Sequence, residues 1–228
     1  MQHPLRVVFD RVCKMFSLEG LELVVTDAIR EPRLVIQDTP WLALPSALAS
    51  APEPTQHAAV ARLLVRAALG VPWIEALPPA HALAYVIALA RQIRPRFEAA
   101  GEREVTGLMA EYETRVAKGI GRRQRKQLAE LTQVLEAAPS PTLRDMTAIA
   151  RAVTRAEIRA AFLVTGDLLT TIEIVAGEDA SFAKDARAHD KRALAAVLSH
   201  PLAGDLVRFA LTPDATALRW RLGSVWSA

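Results

Sequence analysis

Apolar side chains along this chain recur mostly three and four residues apart and only briefly in dense runs, which predicts helices with one short β segment. Leu5, Val8, Phe9, Val12 and Phe16 mark one face of a first helix over residues 4–17, which stops before Gly20. Residues 21–26 (LELVVT), 33–37 (RLVIQ) and 41–44 (WLAL) are rich in Leu, Val and Ile, with turn chemistry at Asp38, Thr39 and Pro40. Connections this short leave no room for crossover helices, so the three strands are expected to form one small antiparallel sheet. Helices follow over 56–69, 79–93, 98–118 and 121–137, the first carrying Val60, Leu63, Leu64 and Ala67 on one face. Ser140 and Pro141 open a long helix through Thr165, proline being tolerated in a first turn. Gly166-Asp167 separates it from a helix to about Val175, and a polar loop is expected at 177–179. Two short helices are expected near 184–198 and 201–211, and Thr212-Pro213-Asp214 caps a last one ending near Gly223. No period repeats and no linker stands out. The expectation is one domain over residues 1–228, α+β in class and predominantly α.

Composition supports the helical reading. Half of the 228 residues are apolar but only 5% are aromatic, so packing rests on Ala, Leu and Val, and alanine and leucine are the strongest helix formers. So apolar a chain excludes wholesale disorder. A net charge of +3 is small for this length, and clustering matters more than the total. The single cysteine, Cys13, excludes an internal disulfide, and its place in the first apolar pattern predicts a buried, reduced thiol. Arg6, Asp10 and Arg11 interrupt the N-terminal apolar stretch, which argues against an ordinary signal peptide. The uncharged runs 39–52 and 76–90 are broken by prolines and fall short of the roughly 20 residues that span a bilayer. A cytoplasmic protein is expected, either complete or a fragment of a longer chain.

Candidate chemistry is sparse. The five histidines (His3, His57, His81, His189 and His200) show no i, i+3 or i, i+4 pairing, so they read as dispersed surface or cap residues rather than metal ligands. No phosphate-binding loop or nucleophile elbow occurs. One basic run stands out: Lys118, Arg122, Arg123, Arg125 and Lys126 place five cations in nine residues. It could hold a nucleic-acid backbone or an acidic surface, but no aromatic residues interleave to stack bases, so a solvated helix start is the plainer reading. Of the four tryptophans, Trp41, Trp73 and Trp220 are expected in the core and Trp226 at the surface.

The order of elements, with an amphipathic helix after a short sheet and a later long helix ending in Gly166-Asp167, resembles gluzincin metallopeptidases of the prenyl-protease type. Their zinc helix has the form E-L-a-a-V-L-a-H-E-x-x-H, and the comparable stretch here is QHAAVARLLVRA, from Gln56 to Ala67. The family's two histidines fall on Leu63 and Ala67, and its general-base glutamate on Leu64. Two imidazoles at i, i+4 can share one metal while the glutamate activates its water; leucine and alanine can do neither. The third ligand falls on Thr154 and an aspartate position on Ile158, or, in a shifted register, on Glu157 and Ala161. More closely, the chain resembles the C-terminal domain of some large bacterial tetratricopeptide-repeat proteins, through HPLRVVFDRV, TRAEIRAAFLVTGDL and DLVRFALTPDATALRWRLG. The likeness spans nearly the whole chain, at mostly apolar positions. It implies a zincin-like helical core without metal, cofactor or peptidase activity, serving as a protein-interaction or scaffold module. The alternative is an anion- or nucleic-acid-binding module using the basic run 118–126.

Overall fold

His3 opens the first helix: its Nδ1 accepts the Leu5 N–H at 3.2 Å, Pro4 occupies the first turn, and α1 runs over Pro4–Met15. This computed structural model describes residues 3–35, 39–72, 77–97, 102–121, 124, 126, 130, 146–188 and 191–224. By its contacts the chain, read as one domain from sequence, divides into two compact units, Met1–Pro72 with Val153–Ala228, and Trp73–Ala152.

In the first unit, β1 (Glu22–Thr26), β2 (Arg33–Val35) and β3 (Trp41–Pro45) form a three-stranded sheet in the order β1-β3-β2. The expected antiparallel sheet is corrected to a mixed one. β2 pairs antiparallel with β3, Arg33 opposite Ala43, but β1 pairs parallel with it, from Glu22 opposite Trp41 to Thr26 opposite Pro45. The physical reason is that β2 is itself part of the connection from β1 to β3. A strand on the far edge, rather than a helix, makes the crossover. Central β3 is accordingly the most buried strand, with Leu42 and Leu44 fully covered.

A 3-10 turn at Ser46–Ser50 leads into α2 (Glu53–Ala68), which begins earlier than the apolar pattern because Pro54 is accommodated in its first turn. Gln56 ties the two together by donating to the carbonyls of Ala49 at 3.1 Å and Ala51 at 2.8 Å. Leu5, Phe9 and Val12 of α1, Leu42 and Leu44 of β3, and Val60, Leu63 and Leu64 of α2 make one core.

The unit resumes within α5 (Met146–Thr165), and Gly166 then turns at φ +68°. Asp167 caps α6 (Leu168–Glu178) by accepting the N–H and hydroxyl of Thr170, bonds that hold its carboxyl below the usual carboxylate range. The expected loop at 177–179 shrinks to one residue, Asp179, whose Oδ1 accepts the N–H groups of Ser181 and Phe182. That cap starts α7 (Ala180–Ala186); the helix expected at 184–198 is two, since α7 ends at Ala186 and α8 (Lys191–Ser199) follows. His200 then caps α9 (Pro201–Ala210), and Thr212 caps α10 (Pro213–Arg221). Ile158, Phe162, Val175, Phe182 and Leu206 centre a second core.

In the other unit, α3 (Pro79–Ile93) packs on α4 (Glu102–Gly119) through Leu83, Ile87, Val105, Met109, Tyr112 and Val116. The helix expected over 121–137 lies almost wholly outside the described residues; Gln124, Lys126 and Glu130 within it are helical. The chain is thus α+β and predominantly α.

Candidate functional site

The positions singled out for a metallopeptidase become packing. Leu63 and Leu64 are buried beside Val60 and Ala61 against α1 and β3, and Ala67 is half-buried. Ile158 is buried in the second core, and Thr154 is half-buried. The residue brought onto α2 is Glu157, the glutamate of the shifted register.

Glu157 is 2% exposed and Arg66 5% exposed, and the Arg66 Nε donates to Glu157 Oε1 at 2.6 Å. One turn earlier, Arg62 lies 3.7 Å from the other oxygen of Glu157 and 2.6 Å from Glu178 of α6. Two guanidiniums therefore meet two carboxylates at the junction of α2, α5 and α6. Burying an isolated charge is costly, so the members hold one another in place. Arginine does not deprotonate in proteins and offers no general acid. Glu157 is committed to it. The arrangement is suited to fixing helices at one register rather than moving protons.

Sequence reasoning missed Arg62, Arg66 and Glu178, although a signal was present. Two like charges at i, i+4 in an otherwise apolar helix repel unless something neutralises them. Glu157, the one acid in the sequence of α5, is the complementary charge.

Other candidates fall elsewhere. His3 and His200 act as helix caps, as expected, whereas His57 is buried, with Nδ1 donating to the Glu53 carbonyl at 3.0 Å. His57 Nε2 has no hydrogen-bond partner among the described residues. His81 Nδ1 lies 3.0 Å from the Tyr112 hydroxyl, and His189 lies outside the described residues. Among the described residues no three His, Cys, Asp or Glu side chains gather as a metal site. Of the basic run, Lys118 and Lys126 are exposed; Arg122, Arg123 and Arg125 lie outside the described residues.

Trp220 corrects another expectation: it is 58% exposed rather than in the core, while Trp41 is half-buried, and Trp73 and Trp226 lie outside the described residues. It has company in the C-terminal helices. Leu194 and Leu198 of α8 are exposed one turn apart, and Leu211 and Leu218 nearer the C-terminus and Leu169 of α6 are exposed as well. Helix α8 has no fully buried residue. No helix among the described residues is long and apolar enough to cross a membrane. Comparisons with protein-family models, curated proteins and solved structures returned no match, so the chemistry of these residues alone carries the functional reading.

Proposed function

We propose that the chain is a catalytically inert, metallopeptidase-like domain that works as a protein-interaction module through its C-terminal helices. The observation that carries this reading is the set of exposed apolar side chains on and beside α8 and α10. Leu194, Leu198, Leu211 and Trp220 are 63%, 46%, 82% and 58% exposed, and large apolar side chains left in solvent are candidates for an interaction surface. Leu194 and Leu198 stand at i, i+4 and present one apolar helix face. Tryptophan is the residue type most often found carrying interface energy. The inert part of the reading is supported by Leu63 and Leu64 serving as core, and by Glu157 being tied to Arg66 where a catalytic carboxylate needs freedom to act.

The test compares the wild-type chain with Leu194→Asp/Leu198→Asp and with Trp220→Ala as bait in native lysate, under nuclease. Proteins retained by wild type and lost from both variants, with unchanged circular dichroism, are the expected result. Retention indifferent to both changes defeats the surface assignment. Stoichiometric zinc in the purified chain, with peptide hydrolysis abolished by chelation, defeats the inert assignment.

A further inference from the structure

Within the unit 73–152, the middle of α3 and the C-terminal part of α4 line a half-open cavity of about 360 Å³. That lies in the roughly 300–1,000 Å³ range of small-molecule sites and far above the space one water needs. Its walls are apolar and aromatic: Tyr85 and Leu89 from α3, Tyr112 and Val116 from α4, and Ile120 just beyond. Tyr112 is nearly fully buried, stands edge-on to Tyr85 with ring centroids 6.3 Å apart, and has its hydroxyl 3.0 Å from His81 Nδ1, so this wall is preorganised. Among the described lining residues Gln124 is polar and Arg115 is charged. Arg115 lies over the Tyr112 ring at 5.4 Å from the centroid, and its ion pair among the described residues is an exposed one to Glu111 at 3.2 Å, a weak competitor for a guanidinium with five donors.

The sequence that follows Arg115 has the same sign. From Arg115 to Lys126 the chain carries Arg115, Lys118, Arg122, Arg123, Arg125 and Lys126 and no acid, and Gly119, Ile120 and Gln124 of that stretch line the cavity. The C-terminal end of α4 adds only about half a negative charge. Cations win.

We infer that this cavity binds an amphipathic anion, with a hydrocarbon body between Tyr85, Leu89 and Val116 and an acidic head at Arg115. The inference does not depend on the interaction surface proposed above.

Decanoate, decanol and decyl phosphate serve as probes, titrated calorimetrically into the full chain below their micellar concentrations. The expected result is one saturable site for decanoate and decyl phosphate, with decanol at least fivefold weaker. Arg115→Gln, at an exposed position, should lower decanoate affinity roughly tenfold and leave decanol unchanged. Gly119→Phe, where an added Cβ meets nothing within 4 Å, should weaken all three by partly filling the cavity. Added salt should weaken the two anions alone. Absence of saturable binding, equal affinity for decanol and decanoate, or decanoate affinity unmoved by both substitutions would overturn the site. Sedimentation with anionic phosphatidylglycerol vesicles in the absence of decanoate binding would overturn it too, transferring the basic stretch to a membrane surface.

Discussion

Cys13 sits at 9% exposure among the side chains of the first core. Burial, helped by Asp10 and opposed by Arg6, pushes its thiol from an ordinary 9.0 up to about 11. The thiolate is the reactive form, so two pKa units mean roughly a hundredfold less of it at neutral pH. Labelling by 5,5′-dithiobis(2-nitrobenzoate) at pH 8 should therefore run at least thirtyfold slower in the native chain than in urea, and comparable rates would contradict the packing. The linkage has a definite sign. The unfolded thiol ionises near pH 9 and the folded one near 11, so the stabilisation is complete below pH 9 and is lost as pH rises through 11. Asp167 works oppositely. Its carboxyl is held low by the Thr170 N–H and hydroxyl, so its contribution is present above the ordinary carboxylate range and is lost as pH falls through its depressed value. Asp167→Ala should cost about 1 kcal/mol in urea denaturation at pH 7, and less at pH 3.

Helices were the legible elements. The 3.6-residue spacing alone places α1, α2, α3 and α9 within a few residues of their observed bounds, because each buries one apolar stripe. Boundaries failed where a polar side chain decided them. Asp179 reads as the end of a loop, but its carboxylate caps α7 and starts that helix at Ala180, ahead of the expected 184. The sheet failed for a different reason: strand spacing limits connection lengths but not which neighbour a strand chooses, and β2 took the outer edge. Gly204 shows a close approach that propensity cannot reveal. It lies inside α9, where alanine is ordinarily better by about 1 kcal/mol, yet an added Cβ would stand 2.4 Å from the Leu198 backbone oxygen. Backbone cannot move aside as a flexible side chain can. Gly204→Ala should therefore destabilise the chain, by about 1–3 kcal/mol on the scale of overpacked cores, and a raised denaturation midpoint would refute the contact.

At the scale of the molecule, the first unit is discontinuous: residues 73–152 intervene before the chain returns in α5. Its closure is marked by Arg66 and Glu157, 91 positions apart and in contact at 2.6 Å. Sequence reasoning set α2 against α5 only through the family resemblance, on Thr154 and Ile158 or, in a shifted register, on Glu157 and Ala161, and read there a lost metal site rather than an ion pair, because a motif is a local pattern whereas charge pairing is known only once the chain has folded back. The energetics decide what the pair is for. Removing one member strands a buried charge, commonly at about 3–5 kcal/mol, while replacing both by apolar groups of similar volume is often neutral or better. Arg66→Met and Glu157→Leu should each fall near the lower end of that range, since Arg62 lies between Glu157 and Glu178 and shares the compensation. The double variant should recover most of the loss in urea denaturation, leaving a coupling of at least 2 kcal/mol. It should also retain the wild-type set of bound proteins, because the proposed surface lies on α8 and α10. Additive losses would mean the pair is not buried together as described. A stable double variant that loses its partners would instead make the charges themselves functional and move the site from the C-terminal helices to the junction of α2, α5 and α6.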